Sequence, residues 1–212
     1  MKKIYLLKII SFIILLFGFA SCEKPLIETG VVEGIVKDAT THEPIVNADV
    51  FLLQNEKGDG SIIGGGGPSK QIDYTTSDAN GNFTFHFNYN KNYSYLCGAE
   101  KELYFDLNQE FAVDAESKGG VNVEVLLNPV AWLSVHVKAV NEYEPSDYIG
   151  INSLQNDPYY GSTVDTIETI TVYGNITFQM TWFLFEIGTE IFSQTEYIYC
   201  PAFDTTYFEI FY

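Results

Sequence analysis

Apolar and polar residues alternate along most of the chain after residue 30, and a period of two is typical of β-strands. Four aromatic residues define one face of a predicted strand: Phe83, Phe85, Phe87 and Tyr89. In a later predicted strand, one face carries Leu133, Val135 and Val137. The opposite face of that strand carries Trp132, Ser134, His136 and Lys138.

Turn-forming residues separate these runs at intervals of about 8–12 residues, which is typical of a β-sandwich. Asn80-Gly81 predicts a hairpin, because both residues tolerate positive φ. Pro129 predicts a boundary, since proline is poorly tolerated inside a central strand. Gly174-Asn175 and Gly188 mark further turns. No segment has a helical period of useful length, so the sequence predicts an all-β fold.

The breaks divide the chain into two predicted β-sandwich domains. The first spans residues 31–128, and the second, predicted to be immunoglobulin-like, spans 129–212. The chain ends in "TTYFEIFY", which predicts a final strand rather than a frayed tail. Ahead of both domains lie a predicted signal peptide over 1–21 and a short polar tether over 22–30.

The first 22 residues have the three-part pattern of a secretory signal. Lys2, Lys3 and Lys8 precede an apolar run that ends at Phe19, and Ala20-Ser21-Cys22 follows. The run is short for a bilayer span of about 20 residues.

The small residues followed by Cys22 resemble the lipobox of bacterial lipoproteins, although Phe19 stands where leucine is most usual. The resemblance implies a diacylglyceryl thioether on Cys22, and several acyl chains together anchor a protein stably in a membrane. Glu23 stands where an aspartate would signal inner-membrane retention in some lipoproteins, so we expect an outer-membrane location. The periplasmic and the outer face remain alternatives, as does an ordinary or uncleaved signal peptide.

The first predicted domain resembles the carboxypeptidase regulatory-like domain, a transthyretin-like β-sandwich. The matching positions are Gly34, Val36, Asp38, Thr41, Pro44, Ile45, Ala48, Val50, Thr75, Asp78, Gly81 and Phe83. The resemblance implies a fold more than a function, because this domain is usually a non-catalytic accessory. The insertion over 55–70 departs from the family and is predicted to be an exposed connection, since "GGGGPSK" lacks the Gly-Lys-Ser/Thr of a phosphate-binding loop.

Charge excludes one class of partner. The chain has no arginine, 11 lysines and 28 acidic residues, for a net charge of −17. Such a surface repels phosphate backbones, so we expect no nucleic-acid binding. Calcium binding at "DANGN", through Asp78, Asn80 and Asn82, is an alternative interpretation, but the closing glutamate of a calcium loop is missing and turn formation suffices to explain these residues.

The sequence lacks the residue patterns that indicate a catalytic or metal site. His42, His86 and His136 are widely separated, so no zinc site is expected. No Gly-x-Ser-x-Gly nucleophile motif occurs. We therefore expect no enzymatic activity, no cofactor and no metal. Cys97 and Cys200 could pair in an oxidising compartment, but their separation between the two domains favours two buried thiols.

Four tyrosines cluster around a polar loop of the second domain: Tyr143, Tyr148, Tyr159 and Tyr160. Aromatic faces beside amide groups suit glycan binding, which makes this segment a candidate ligand-contact loop. The alternative is that the tyrosines cover domain edges.

Together these features favour a non-enzymatic, lipid-anchored cell-envelope protein. It would act as an accessory or binding module in glycan or nutrient capture, with a surface glycan or an outer-membrane transporter as its partner. The alternative is a structural or adhesive surface subunit, whose terminal strand could pair with a sheet edge of a partner.

Overall fold

The computed structural model describes residues 28–56, 70–105, 111–113, 121–152, 154 and 158–212. Within these ranges the protein consists of strands and their connections, and the predicted all-β class with two β-sandwiches is confirmed. The predicted signal peptide, Cys22 and residues 57–69 of the insertion lie outside the described residues. No helix in the described part of the chain is long and apolar enough to span a membrane.

The first sandwich consists of a three-stranded sheet, β4-β1-β7, and a four-stranded sheet, β3-β2-β5-β6. Strands β1 and β7 are parallel, whereas the other neighbours are antiparallel. The strands are β1 (Glu28–Asp38), β2 (Asp49–Glu56), β3 (Lys70–Thr76), β4 (Asn82–Tyr89), β5 (Tyr93–Glu100), β6 (Phe111–Val113) and β7 (Val121–Leu127).

The core of the first sandwich is formed by the inward faces of these strands. As the alternation predicts, Phe83, Phe85 and Phe87 on β4 are buried, and Phe85 is 1% exposed. Their rings contact the opposite sheet, where Phe87 lies 4.6 Å from Tyr95 between ring centroids. Aromatic pairs of this kind add about 0.5–1.5 kcal/mol beyond the burial of their area.

The predicted hairpin at Asn80-Gly81 is wrong, because β3 and β4 belong to different sheets. The Asp78 carboxylate accepts hydrogen bonds from the backbone N–H groups of Asn80 and Asn82, both at 2.8 Å. Gly81 has a φ of 77°, and its carbonyl accepts a bond from the N–H of Val36 on β1. The turn therefore leads the chain from one sheet across to the other.

The second sandwich consists of the sheets β11-β8-β14 and β10-β9-β12-β13, with β8 and β14 parallel. The strand order of the first sandwich is repeated here. Each strand of the second sandwich has a number seven higher than the strand in the same position of the first. The strands are β8 (Val130–Lys138), β9 (Tyr148–Ile151), β10 (Tyr159–Tyr160), β11 (Asp165–Tyr173), β12 (Ile176–Glu186), β13 (Thr189–Cys200) and β14 (Thr205–Phe211).

The second sandwich has its own core. Leu133, Val135 and Val137 of β8 are fully buried and face Met180 and Trp182 of the opposite sheet.

The two described cysteines are free thiols, Cys97 in the first core and Cys200 in the second, as the sequence analysis favoured. Burial raises the pKa of the Cys97 thiol to about 12.

The two sandwiches are joined directly through Asn128-Pro129. Phe105 lies 4.6 Å from Tyr173 and Tyr104 lies 5.3 Å from Phe203, both between ring centroids. The two cores lie on either side of residues 128 and 129, and the domain boundary at this point stays a prediction.

A chain of hydrogen bonds also crosses this junction. Oδ1 of Asp38 accepts a bond from the Thr40 hydroxyl at 2.6 Å, and that hydroxyl accepts one from Nδ2 of Asn175 at 3.0 Å. Burial raises the pKa of the Asp38 carboxyl, but the bonds from Thr40, Thr41 and Tyr104 outweigh it and leave the pKa below its usual value. The carboxylate therefore stays charged in the folded protein.

Candidate functional site

The second sandwich has one end against the first sandwich and a distal end opposite. The turn at Gly174-Asn175 lies at the junction, and β12 runs away from it over eleven residues. At about 3.3 Å per residue, β12 ends roughly 33 Å from its start. The distal end therefore holds the β12–β13 turn, the beginning of β9 and the end of β10.

Three aromatic rings meet at this distal end, on the outer face of the sheet. Tyr148 and Phe185 are stacked, with ring centroids 4.6 Å apart and planes 13° from parallel. The Tyr160 ring lies 5.3 Å from Tyr148 and is 54% exposed. We call these three residues, with Ile187 in the adjacent turn, the distal aromatic surface.

A shallow open area extends this surface toward the middle of the sheet. Gly150 pairs with Phe183 on the outer face, next to the pair formed by Tyr148 and Phe185. A Cβ atom on Gly150 would meet no other atom within 4 Å, so the space above this residue is open. Phe183, opposite Gly150, is half-buried.

The structure separates the four tyrosines of the predicted ligand-contact loop into two pairs. Tyr148 and Tyr160 lie together at the surface, as described above. Tyr143 packs on the core and stacks on Tyr212 at 5.2 Å, and Tyr159 also packs against the core. Tyr143 and Tyr159 thus fit the alternative interpretation, in which tyrosines cover the edge of a domain.

Asp147 connects the loops of the distal end. Its buried carboxylate accepts bonds from the N–H of Glu144 at 3.0 Å and from the N–H of Ile187 at 3.1 Å. Its carbonyl accepts a bond from the N–H of Gly161 at 2.8 Å. One residue therefore links the β8–β9 loop, the β10–β11 loop and the β12–β13 turn and fixes their relative positions.

The turn between β12 and β13 carries an exposed residue in a strained backbone conformation. Ile187 has a φ of 49° and its side chain is 88% exposed; Gly188 follows with a φ of 74°. A left-handed conformation is unfavourable for a β-branched residue such as isoleucine. Asparagine or glycine usually occupies this position of the turn. The bond from the Ile187 N–H to the Asp147 carboxylate holds this conformation, and the exposed side chain makes Ile187 a candidate contact residue.

We expect Ile187→Asn to stabilise the protein, because asparagine adopts the left-handed conformation at lower cost. Relief of a residue in this conformation is worth about 1 kcal/mol. For a single sandwich of this size that raises its melting temperature by about 4–8 °C. Differential scanning calorimetry measures the change.

Ile191→Asn is the matched control, since Ile191 is also exposed but is absent from the residues with positive φ. It removes the same side chain without relieving strain, so no stabilisation is expected. An equal rise in melting temperature for both variants would show that the backbone of Ile187 is not the cause.

The histidines occupy separate surface positions. Only His136 has charged neighbours in the described interactions: Nε2 lies 2.7 Å from Oδ1 of Asp165, and Nδ1 lies 3.8 Å from Oε1 of Glu209. Bonds from Lys138 and His136 lower the pKa of Asp165. Among the described residues, no group of three or more His, Cys, Asp or Glu is placed to hold a metal ion.

No family model matches the chain, and no curated protein matches it in sequence. Solved structures that match include the minor pilin GBS52 of Streptococcus agalactiae, at 12% identity, a TM-score of 0.39, and coverage of 86% of this chain and 94% of that one. The shaft pilin SpaA of Lactobacillus rhamnosus GG matches in its D295N mutant at 10% identity and a TM-score of 0.37, covering 87% and 97%.

The TIE protein of Bacillus anthracis matches at 14% identity and a TM-score of 0.39, and the chain spans 33% of that protein's length while 86% of this chain is covered. Identities and scores this low carry no information on function. The all-β class rests on the strands of this chain.

Proposed function

We propose that this chain is a non-enzymatic structural or adhesive subunit of the cell envelope. In this proposal Cys22 carries the lipid that holds the chain at an outer membrane, and the two sandwiches present the distal aromatic surface away from it. The observation that supports it is the cluster formed by Tyr148, Tyr160 and Phe185 at the end opposite the junction. The carboxypeptidase regulatory-like resemblance of residues 31–128, as an accessory domain, agrees with a role in presentation.

Topology supports the same proposal. Because β1 and β7 are parallel, the chain enters the first sandwich at one end and leaves at the other, and β8 and β14 repeat this arrangement. A chain anchored before β1 therefore carries the distal aromatic surface at its far end. The acidic surface and the absence of arginine disfavour nucleic acid as a partner.

Glycan or nutrient capture beside an outer-membrane transporter is the second candidate function. One observation favours it: Tyr160 is 54% exposed, and the space above Gly150 on the neighbouring strand β9 is open. An exposed ring beside an open area of the sheet suits a neutral sugar, whose apolar face stacks on aromatic rings.

Removing both tyrosine rings of the distal aromatic surface should weaken adhesion. We expect Tyr148→Ala/Tyr160→Ala to weaken binding at least tenfold, because truncating a hot-spot aromatic residue at a binding centre costs about 2 kcal/mol or more. Surface plasmon resonance with the purified protein against neutral polysaccharides and host matrix proteins measures the change. Binding to the matrix proteins alone supports adhesion, and binding to the polysaccharides alone supports glycan capture.

Tyr207→Ala is the matched control, since Tyr207 is 79% exposed on the other sheet of the same sandwich. It should bind as the unaltered protein does. Equal losses in both variants, or no loss in the double variant, would contradict the role of the distal aromatic surface.

A further inference from the structure

Strand β13 forms a free edge of its sheet. It is the last strand in the order β10-β9-β12-β13, and among the described strands only β12 pairs with it. At twelve residues it is longer than most strands, and all of residues 189–195 are exposed. Its second side therefore offers a row of backbone N–H and C=O groups, which another strand can pair with.

The side chains along this edge are apolar and acidic. Ile191 and Phe192 are about half exposed, and Tyr197 is 69% exposed. Glu190 and Glu196 are the charged residues of β13, which has no lysine. The Glu196 carboxylate accepts a bond from Nε2 of Gln194 at 2.7 Å. Because the Gln194 amide is neutral, this bond does not neutralise the charge of Glu196.

The charge of the whole second sandwich has the same sign. Residues 129–212 contain 11 acidic residues and one lysine, Lys138. That lysine is paired with Asp165 at 2.7 Å on the opposite sheet, away from β13. Electrostatic complementarity therefore selects a basic partner for this edge.

A second copy of the chain is a poor occupant. Its second sandwich carries the same acidic charge, so two of these edges repel each other. The bulge of the β12–β13 hairpin lies in β13, where Ile191 has no partner on β12. Glu190, opposite Phe185, and Glu196, opposite Met180, therefore lie on opposite faces of the sheet.

We propose that the free edge of β13 binds an extended, basic segment of a partner protein by strand addition. The partner's backbone continues the sheet, its lysines or arginines lie beside Glu190 on one face and Glu196 on the other, and its apolar side chains contact Ile191 and Phe192. Main-chain hydrogen bonds supply affinity in such complexes and alternate side chains supply specificity. The inference goes beyond the proposed function and uses residues outside the distal aromatic surface.

Two labelled ten-residue peptides test this proposal with the purified protein: one repeats Lys-Lys-Val-Val, which places lysines on both faces of a strand, and the other repeats Glu-Glu-Val-Val. Fluorescence anisotropy should show that the lysine peptide binds at least tenfold more tightly. NMR amide shifts should change within residues 189–196. We expect Glu190→Lys/Glu196→Lys to weaken binding of the lysine peptide at least tenfold and to strengthen binding of the glutamate peptide.

Glu33→Lys/Glu43→Lys is the matched control, because it makes the same change in net charge at exposed residues of the first sandwich. It should retain most of the affinity. A lysine peptide methylated on alternate backbone nitrogens should fail to bind, since it cannot donate to the edge. Absence of binding, equal binding of the methylated peptide, or equal losses in the two charge variants would each overturn the proposal.

Discussion

Deleting residues 205–212 is expected to unfold the second sandwich. These residues form β14 and Tyr212, and β14 pairs with the central strand β8 over seven residues. Ile210 and Tyr212 are buried, and Phe208 lies 5.9 Å from Trp182 between ring centroids. Loss of one buried Ile or Phe side chain alone costs about 2–5 kcal/mol, against a total stability of about 5–15 kcal/mol for a typical domain.

Tryptophan fluorescence measures this result, because the only two tryptophans, Trp132 and Trp182, are both in the second sandwich. The truncated protein should show the red-shifted emission of exposed indoles. Tyr207→Ala, a change to an exposed residue of β14, should leave the emission unchanged. A truncated protein that remains folded but fails to assemble would instead support the earlier hypothesis that the terminal strand pairs with a partner.

Phe85→Ala should selectively destabilise the first sandwich. Phe85 is 1% exposed and its removal leaves a cavity between the two sheets, at a cost of about 3–5 kcal/mol. For a sandwich of about 100 residues, this lowers the melting temperature by at least about 10 °C. Circular dichroism should therefore show an earlier transition, whereas tryptophan fluorescence should keep its original midpoint.

His86→Ala serves as the control, since His86 is the next residue on β4 and is exposed on the opposite face. It should change the stability by less than about 0.5 kcal/mol. If the midpoint of the tryptophan transition in Phe85→Ala falls together with the midpoint measured by circular dichroism, the two cores unfold as one unit. The predicted domain division at 128/129 would then describe the topology but not the folding.

Sequence alternation predicted the strands well, because each strand of a sandwich has one face on the core and one in solvent. Apolar residues therefore occupy every second position. The buried faces of β4 and β8 are the faces predicted, and the breaks at Pro129 and Gly188 fall between strands. Pairing was harder to predict. Asn80-Gly81 has the composition of a hairpin turn, but β4 pairs with β1 instead of β3, and the Asp78 carboxylate stabilises the turn by accepting bonds from Asn80 and Asn82.

The repeated strand order was not visible in the sequence. Pairing depends on contacts between residues far apart in the chain, and different apolar residues can fill equivalent positions in two cores. The first core uses Phe83, Phe85 and Phe87 on β4, whereas the equivalent strand β11 contributes only Val172 to the buried residues of the second core. The shared topology is therefore carried by unlike side chains.

Half of the candidate site could be found from composition, because tyrosines near a polar loop are a visible signal. Tyr148 and Tyr160 belong to it, but Phe185 and Ile187 come from the β12–β13 hairpin, 25 and 27 residues after Tyr160. Their proximity follows from the pairing of β9 with β12. Asp147 had one local signal, the sequence Pro-Ser-Asp, which is typical of turns whose side chains bond to the backbone.

The parallel pairing of the first and last strands in each sandwich has a mechanical consequence. A pull between the two ends of the chain draws β1 and β7 past each other along their length, and it does the same to β8 and β14. The hydrogen bonds of each pair are then loaded together in shear rather than opened one at a time. Both sandwiches thus have the geometry in which a tethered protein bears tension along its strands.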